Sequence, residues 1–257
     1  SGWSAMLATA GAHRLAAGGE VTVLDLSGGS VGLDLLGFAR ACGLAPLVWV
    51  LPEDLPRLDL GTGLGADALA DVLSLVASVS EEARATRDLS LDSAILERLI
   101  DALGGQATVA SVAAGLRALA QVGDPRDDVA AGLLTAAQVD RVIAMFGRGA
   151  TDRVVLERAW ILESQLRKLA PVGTALIPLP RSALRVVALS PRAGAAGGNI
   201  LGTYLAVALT HELRETRPDR PWQHTVFVLA ADRLRGDTLD RLSDVCEGAG
   251  TGLVLAY

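Results

Sequence analysis

Cysteine and lysine are scarce in this sequence, and each shortage excludes a class of chemistry. Cys42 and Cys246 are the only thiols in 257 residues. Two cysteines are too few for a disulfide scaffold or a cysteine-rich metal site, and they indicate a reducing, cytoplasmic environment. Lys168 is the single lysine among 23 Lys and Arg residues. Any reaction that needs a lysine therefore has to use Lys168.

Long hydrophobic runs are absent as well, although 51% of the residues are hydrophobic. The most apolar stretch, residues 31–51, is interrupted by Asp34, Arg40 and several glycines, so no transmembrane span is predicted. The 29 acidic residues outnumber the 23 basic ones and give a net charge of −6. Without a basic run, this balance does not favour nucleic-acid binding through a charged surface.

Clustered metal ligands are also missing. His13, His211 and His224 lie far apart in the sequence, and there is neither a His-x-x-x-His pair nor a Cys/His cluster. The sequence therefore predicts no zinc site.

Short apolar segments alternate with helical patterns in the first and last thirds of the chain. Strands are predicted at residues 20–26, 45–51, 183–190, 225–230 and 252–256. A strand–helix–strand order with short connections is typical of parallel strands. The sequence therefore predicts an α/β fold of three layers with a largely parallel sheet.

The middle of the chain has almost no strand pattern. Helices are predicted at 66–79, 91–103, 107–122, 127–147 and 150–169, with Asp92, Thr108 and Thr151 as N-caps. We therefore predict an all-helical insertion, residues 66–170, in an α/β core made of residues 1–65 and 171–257. Because the last strand reaches the final residue, we expect the sequence to be a segment of a longer protein.

The turn after the first strand is a candidate cofactor site. Asp25 is the next-to-last residue of the predicted strand, Ser27-Gly28-Gly29 follows the strand, and a further glycine stands at position 32. An acidic residue and glycines after a parallel strand occur in dinucleotide and methyl-donor sites. The glycine spacing differs from Gly-x-Gly-x-x-Gly, which disfavours an enzyme of this kind but leaves the hypothesis open.

The segment 225–256 carries the most specific pattern. A buried strand runs into Ala231-Asp232-Arg233-Leu234, and an amphipathic helix and a second buried strand follow. This order resembles the Walker B region of P-loop ATPases of the HerA/FtsK superfamily, which includes conjugative coupling and type IV secretion ATPases. The helical insertion is similar to that of the secretion ATPases.

The beginning of the chain fits the same resemblance. Gly2-Trp3-Ser4 ahead of an Ala-rich helix resembles the end of a Walker A loop, and Asp25 with its turn resembles the next strand of the superfamily. The resemblance implies ATP and Mg²⁺ as ligands, held near Gly2, Trp3, Ser4, Asp25 and Asp232.

Three departures from the family pattern concern the charged groups. Trp3 stands where the lysine that reaches the β- and γ-phosphates belongs, while Ser4 is kept. Leu229 and Ala230 stand where the aspartate and glutamate of Walker B belong, and Asp232 lies beyond them. These losses predict weak or absent nucleotide binding and little or no ATP hydrolysis.

Two hypotheses follow from the resemblance. The first is a degenerate P-loop domain with a structural or regulatory role in a DNA-transfer or secretion motor, as a homo-oligomer or beside an active ATPase. The second is an active ATP-driven DNA or protein translocase, in which Arg233 and Arg235 contact phosphate across an oligomer interface.

Overall fold

A computed structural model describes residues 2–28, 31–79, 89–105, 107–145, 153–178, 181–215 and 221–257, apart from the side chains of residues 2–4, 31–34 and 89–90. The chain divides into two compact units. Ser1–Leu60 and Ala175–Tyr257 form the sheet unit, and Gly61–Thr174 form the helical unit.

The sheet unit is built on parallel strands in the order β2-β3-β1-β4-β5. They are β1 (Glu20–Asp25), β2 (Leu47–Leu51), β3 (Leu184–Leu189), β4 (His224–Leu229) and β5 (Gly252–Ala256). These strands are rich in valine and leucine, which suit strands buried on both faces. The central strand is β1, and its register places Asp25 beside Ala188 of β3 and Leu229 of β4. The predicted parallel α/β fold is confirmed.

Helices supply the other layers and the second unit. They are α1 (Gly2–Ala16), α2 (Val31–Ala41), α3 (Ala66–Val79), α4 (Leu89–Leu103), α5 (Val109–Leu119), α6 (Pro125–Ala130), α7 (Ala136–Ala144), α8 (Arg153–Leu166), α9 (Gly194–Glu215) and α10 (Gly236–Gly248). None of the described helices is long and apolar enough to cross a membrane.

Two pairs of helices, α1 with α2 and α9 with α10, cover the sheet. On one face, Val23 and Leu229 of the strands join Leu7 of α1 and Leu35 of α2 in one apolar cluster. The other face meets α9, because the Arg185 guanidinium of β3 donates to the Glu212 carboxylate at 2.6 Å. The sheet is therefore the middle of three layers.

Two helix predictions are corrected. The predicted helix 127–147 is two helices, because Gly132 takes a positive φ of 72° after α6. Thr135 then starts α7 with a capping box. The sequence also predicts a helix over 199–217, but α9 begins earlier, at Gly194, so the glycines before Asn199 belong to the helix.

The predicted N-caps have three different outcomes. Thr108 is the N-cap of α5 and forms a capping box, as predicted, and Thr151 lies outside the described residues. The prediction for Asp92 is wrong, because Asp92 lies inside α4 and is fully buried. There its carboxylate accepts from the Arg158 guanidinium at 2.8 Å and 3.0 Å.

A second buried carboxylate lies in the same unit. Glu163 of α8 is also fully buried and accepts from the Arg167 guanidinium at 2.6 Å. Arg117 lies 3.7 Å from Glu163 and also pairs with Asp128. These pairs link α5, α6 and α8, since a buried carboxylate needs a charged or hydrogen-bonding partner.

A polar network crosses the sheet near the beginning of its strands. The ring nitrogen Nε2 of His224 lies 2.9 Å from the Thr22 hydroxyl, and the same hydroxyl accepts from Arg185 at 3.4 Å. Arg185 is paired in turn with Glu212. Burial, and then the charge of Arg185, lowers the pKa of His224 to about 4. His224 is therefore neutral in the folded protein near pH 7.

We expect this histidine to make the free energy of unfolding depend on pH. Between about pH 6.5 and pH 4 the unfolded chain binds a proton at His224 that the folded chain does not. The free energy of unfolding is therefore at its full value above this window and falls as the pH is lowered, by about 3 kcal/mol from this group. Urea unfolding between pH 7 and pH 4 measures the slope.

Replacement of His224 and of a second histidine separates this effect from carboxylate titration. His224→Gln keeps a donor for Thr22 and should reduce the slope, whereas His13→Gln, at an exposed position of α1, should leave it unchanged. If the free energy of unfolding depends on pH equally in the two variants, the assignment to His224 is refuted.

Arg158→Met tests the buried ion pair of the helical unit. We expect a loss of about 3 kcal/mol in the free energy of unfolding, because the buried Asp92 carboxylate loses its ion pair with the Arg158 guanidinium. Arg126→Met, at an exposed position of α6, should change it by less than about 0.5 kcal/mol. Urea unfolding followed by circular dichroism compares the two variants, and similar losses would contradict the prediction.

Candidate functional site

The carboxyl ends of the strands form one edge of the sheet, where the sites of open parallel sheets are found. From β1 the chain passes to α2 on one face, and from β3 it passes to α9 on the other. Because β1 and β3 are neighbours, their loops diverge and leave a crevice between them.

An open cleft of about 400 Å³ lies in this crevice, on the side of α9. The loops after β1, β3 and β4 line it together with the first turns of α9. The residues that contribute polar groups or close backbone approach are Ser27, Gly28, Ser190, Gly194, Asn199 and Arg233.

The charges around the cleft are mixed. Among the described residues, Arg233 is the cation that lines it. Glu53 lies at the rim, where its carboxylate accepts from the Ser190 hydroxyl at 3.2 Å and pairs with Arg192 at 3.5 Å. Asp232 is exposed beside Arg233. The cleft therefore lacks the excess of cationic donors that binds a polyphosphate.

Asp25 lies at the same edge of the sheet but on the opposite face. Its side chain belongs to the face that carries Val23 and Leu229 in the apolar cluster, because residues two apart on a strand share a face. Asp25 is 1% exposed, and its Oδ1 accepts from the Ser27 backbone N–H at 3.0 Å and from the Ser27 hydroxyl. The Asp25 carboxylate is thus bound into its own turn, whereas Ser27 and Gly28 line the cleft.

The end of β4 offers no carboxylate. Leu229 is 4% exposed within the apolar cluster that includes Leu7 of α1. Ala230 follows in a left-handed conformation, and Asp232 lies in an exposed 3-10 turn beyond it. Mg²⁺ needs oxygen ligands, and no cluster of metal-binding side chains occurs among the described residues. The side chains at the end of β4 do not fit this ion.

The first turn of α1 contains Gly2, Trp3 and Ser4, whose side chains lie outside the described residues. The helix leads through Gly18-Gly19 into the beginning of β1. Since α1 packs along β1, its first turn points toward the carboxyl edge of the sheet. The backbone of this turn, Asp25 and Asp232 are therefore all placed at one edge.

Lys168, the single lysine of the sequence, does not stand in a Walker A position. It lies in the helical unit, exposed on the 3-10 turn Arg167–Leu169 that follows α8. A Walker A lysine instead follows a strand and stands at the start of a helix.

The turn after β1 also matches a hydrolase pattern, because residues 28–32 read Gly-Gly-Ser-Val-Gly. Such a serine needs a histidine within hydrogen-bond reach. Instead, His13 is near the end of α1, His211 is near the end of α9 and His224 begins β4. All three lie toward the opposite edge of the sheet, so the described residues supply no Ser–His pair there.

Sequence reasoning missed most of the cleft. The sequence identifies Arg233 only as a phosphate contact of the alternative translocase, and it does not identify Ser190 or Asn199 as site residues. The available signal was the glycine-rich stretch after the strand 183–190, which is typical of a helix start that approaches a ligand. The glycine and alanine content of residues 191–198 instead predicts a loop.

The fold is similar to solved structures of the plasmid coupling protein TrwB. The complex of TrwB with the non-hydrolysable GTP analogue GDPNP aligns with a TM-score of 0.53 and 12% identity, over 92% of this chain and 63% of that one. The complex of TrwB with ADP and Mg²⁺ aligns with a TM-score of 0.52 and 12% identity, over 92% of this chain and 62% of that one. The unbound monoclinic form of the bacterial conjugative coupling protein TrwBdeltaN70 aligns with a TM-score of 0.51 and 13% identity, over 92% of this chain and 62% of that one.

These likenesses show the fold, which is of the P-loop NTPase type and agrees with the resemblance found in the sequence. The chain spans about 63% of the length of the first of these TrwB chains. No protein-family model matches the chain, and no curated protein is similar to it in sequence.

Replacement of Asp25 tests whether its carboxylate holds the turn after β1. Asp25→Ala should lower the free energy of unfolding by about 1–3 kcal/mol, because the Ser27 donors lose a buried acceptor. Asp25→Asn keeps an acceptor oxygen and should recover most of that loss. Urea unfolding measures both variants, and an unchanged stability of Asp25→Ala would exclude this role.

Proposed function

We propose that this chain is a P-loop NTPase-like domain of a DNA-transfer or secretion-type motor assembly, where it has a structural or regulatory role. We infer that it hydrolyses ATP little or not at all. The observation that carries the proposal is the buried, apolar Leu229 at the end of β4 in a fold similar to that of TrwB.

The chemistry of phosphoryl transfer supports weak activity. A P-loop NTPase stabilises the transferring phosphoryl group with a lysine and with Mg²⁺ held by a carboxylate. Trp3 has no charge to offer, and Leu229 is packed among apolar side chains. Without these groups the negative charge of the transition state has no strong stabilisation.

The fold supports a role in an assembly. TrwB is a plasmid coupling protein whose structures include complexes with ADP and Mg²⁺ and with a GTP analogue. We infer that this chain acts in the same type of apparatus, through contacts with further copies of itself or with an active ATPase.

One observation favours the active translocase as a second candidate. Asp25 is a buried carboxylate that lies beside Leu229 on the same face of the sheet. It is therefore one strand away from position 229, where the Walker B aspartate belongs. In that case Asp25 would take over the metal-organising role, and Arg233 and Arg235 would contact phosphate from a neighbouring copy.

Calorimetric titration with ATP and Mg²⁺ separates the two candidates. For the proposed function we expect binding weaker than about 1 mM and no turnover in a phosphate-release assay, with or without DNA. Trp3→Lys should strengthen binding, since it restores a cation at the start of α1. Met6→Lys adds the same charge at an exposed position of α1 and is the matched control.

The opposite results would establish the second candidate. Micromolar binding by the parent chain, with DNA-stimulated turnover that Asp25→Asn abolishes, would show an active ATPase in which Asp25 acts on the metal. If Trp3→Lys and Met6→Lys increase the affinity for ATP equally, the added charge acts non-specifically and position 3 is not part of a phosphate site.

A further inference from the structure

The segment that leaves the sheet unit is firmly anchored up to Leu60. The Tyr204 hydroxyl of α9 donates to the Leu60 carbonyl at 3.0 Å, and both groups are buried. Three residues earlier, the Arg57 carbonyl accepts from the indole N–H of Trp49 at 3.0 Å. Buried hydrogen bonds of this kind fix the backbone, because breaking them leaves unsatisfied polar groups.

The returning segment enters the sheet unit beside the departing one. The Ala175 backbone N–H donates to the Pro56 carbonyl at 2.8 Å. The two connections therefore pass through one point of the sheet unit, at which both backbones are bonded.

Within a few residues of these anchors, both segments lack regular secondary structure. Residues 61–64 form no helix or strand before α3, and Gly61 takes a positive φ of 83°. On the returning side, Gly173 lies two residues before the Ala175 anchor and has a positive φ of 68°, and Thr174 is exposed outside any helix or strand.

Gly63 is informative because nothing in its surroundings requires a glycine. A Cβ placed there meets no atom within 4 Å, and its φ is not in the left-handed range. Neither packing nor backbone geometry therefore accounts for this glycine. The remaining contribution of a glycine at this position is the wide range of φ and ψ values that it allows the backbone.

We propose that residues 61–64 and 173–174 form a two-stranded hinge on which the helical unit moves as a body. Hinges are short runs of loop residues that absorb changes in φ and ψ between rigid parts. The anchors on Leu60 and Ala175 set the boundary of the rigid part on the sheet side. This proposal does not depend on nucleotide binding.

Distances between spin labels test the hinge in the complete chain. Cys42 is exposed in the sheet unit, and burial raises the pKa of the Cys246 thiol to about 11, so Cys42 is labelled selectively. Ala137→Cys adds an exposed label on α7 of the helical unit, and Asp240→Cys adds one on α10 of the sheet unit. Double electron–electron resonance then gives one distance between units and one within the sheet unit.

We expect the distance distribution between the units to be about twice as broad as the one within the sheet unit. Gly63→Val should narrow it, because a β-branched side chain restricts the backbone. Gly105→Val is the matched control, since a Cβ at Gly105 also meets no atom within 4 Å and position 105 lies outside the hinge. Tyr204→Phe should broaden the distribution, because the anchor on Leu60 is lost.

Two results would overturn the hinge. If the distance distribution between the units is as narrow as the one within the sheet unit, the helical unit does not move. A broad distribution that changes equally in Gly63→Val and Gly105→Val would place the motion elsewhere. Circular dichroism of each variant confirms that the fold is retained before the distances are compared.

Discussion

Parallel pairing around β1 is the constraint on which the rest of the sheet unit depends. Parallel neighbours cannot be joined by a tight turn, so each connection crosses a face of the sheet, almost always with right-handed geometry. With β1 between β3 and β4, the helix after β1 and the helix after β3 are sent to opposite faces. The crevice at the carboxyl edge, the position of Asp25 beside Leu229 and the cleft on the α9 side all follow from this order.

The strands were predictable because each is a short run of valine, leucine and similar residues, and that pattern is local. The strand order was not, because nothing in β1 itself specifies that residues 184–189 and 224–229 become its neighbours. The cleft was missed for the same reason, since Ser27, Ser190 and Arg233 meet only after the sheet has formed. Gly132 was visible in the sequence, but its left-handed backbone depends on the turn that separates two helices.

Buried charge is the feature that sequence patterns describe least well. Asp92 at the start of a predicted helix is typical of an N-cap, yet it lies inside α4 and pairs with Arg158, which is 66 residues away. Glu163 is likewise an acidic residue of an amphipathic helix, but it is enclosed between α8 and its arginine partners. A carboxylate with a distant partner has the same local sequence context as a solvated one, so only tertiary structure distinguishes them.

The end of β4 is a position where burial decides which side chain is stable. An ionised carboxylate at position 229 would be surrounded by apolar side chains and would cost several kcal/mol unless a metal compensated its charge. Leu229 instead contributes about 2 kcal/mol by burial and fills the cluster that joins α1 to the sheet. Stability and metal chemistry therefore make opposite demands on this residue. In the proposed structural or regulatory role the domain needs no carboxylate at position 229, and Leu229 holds α1 against the sheet.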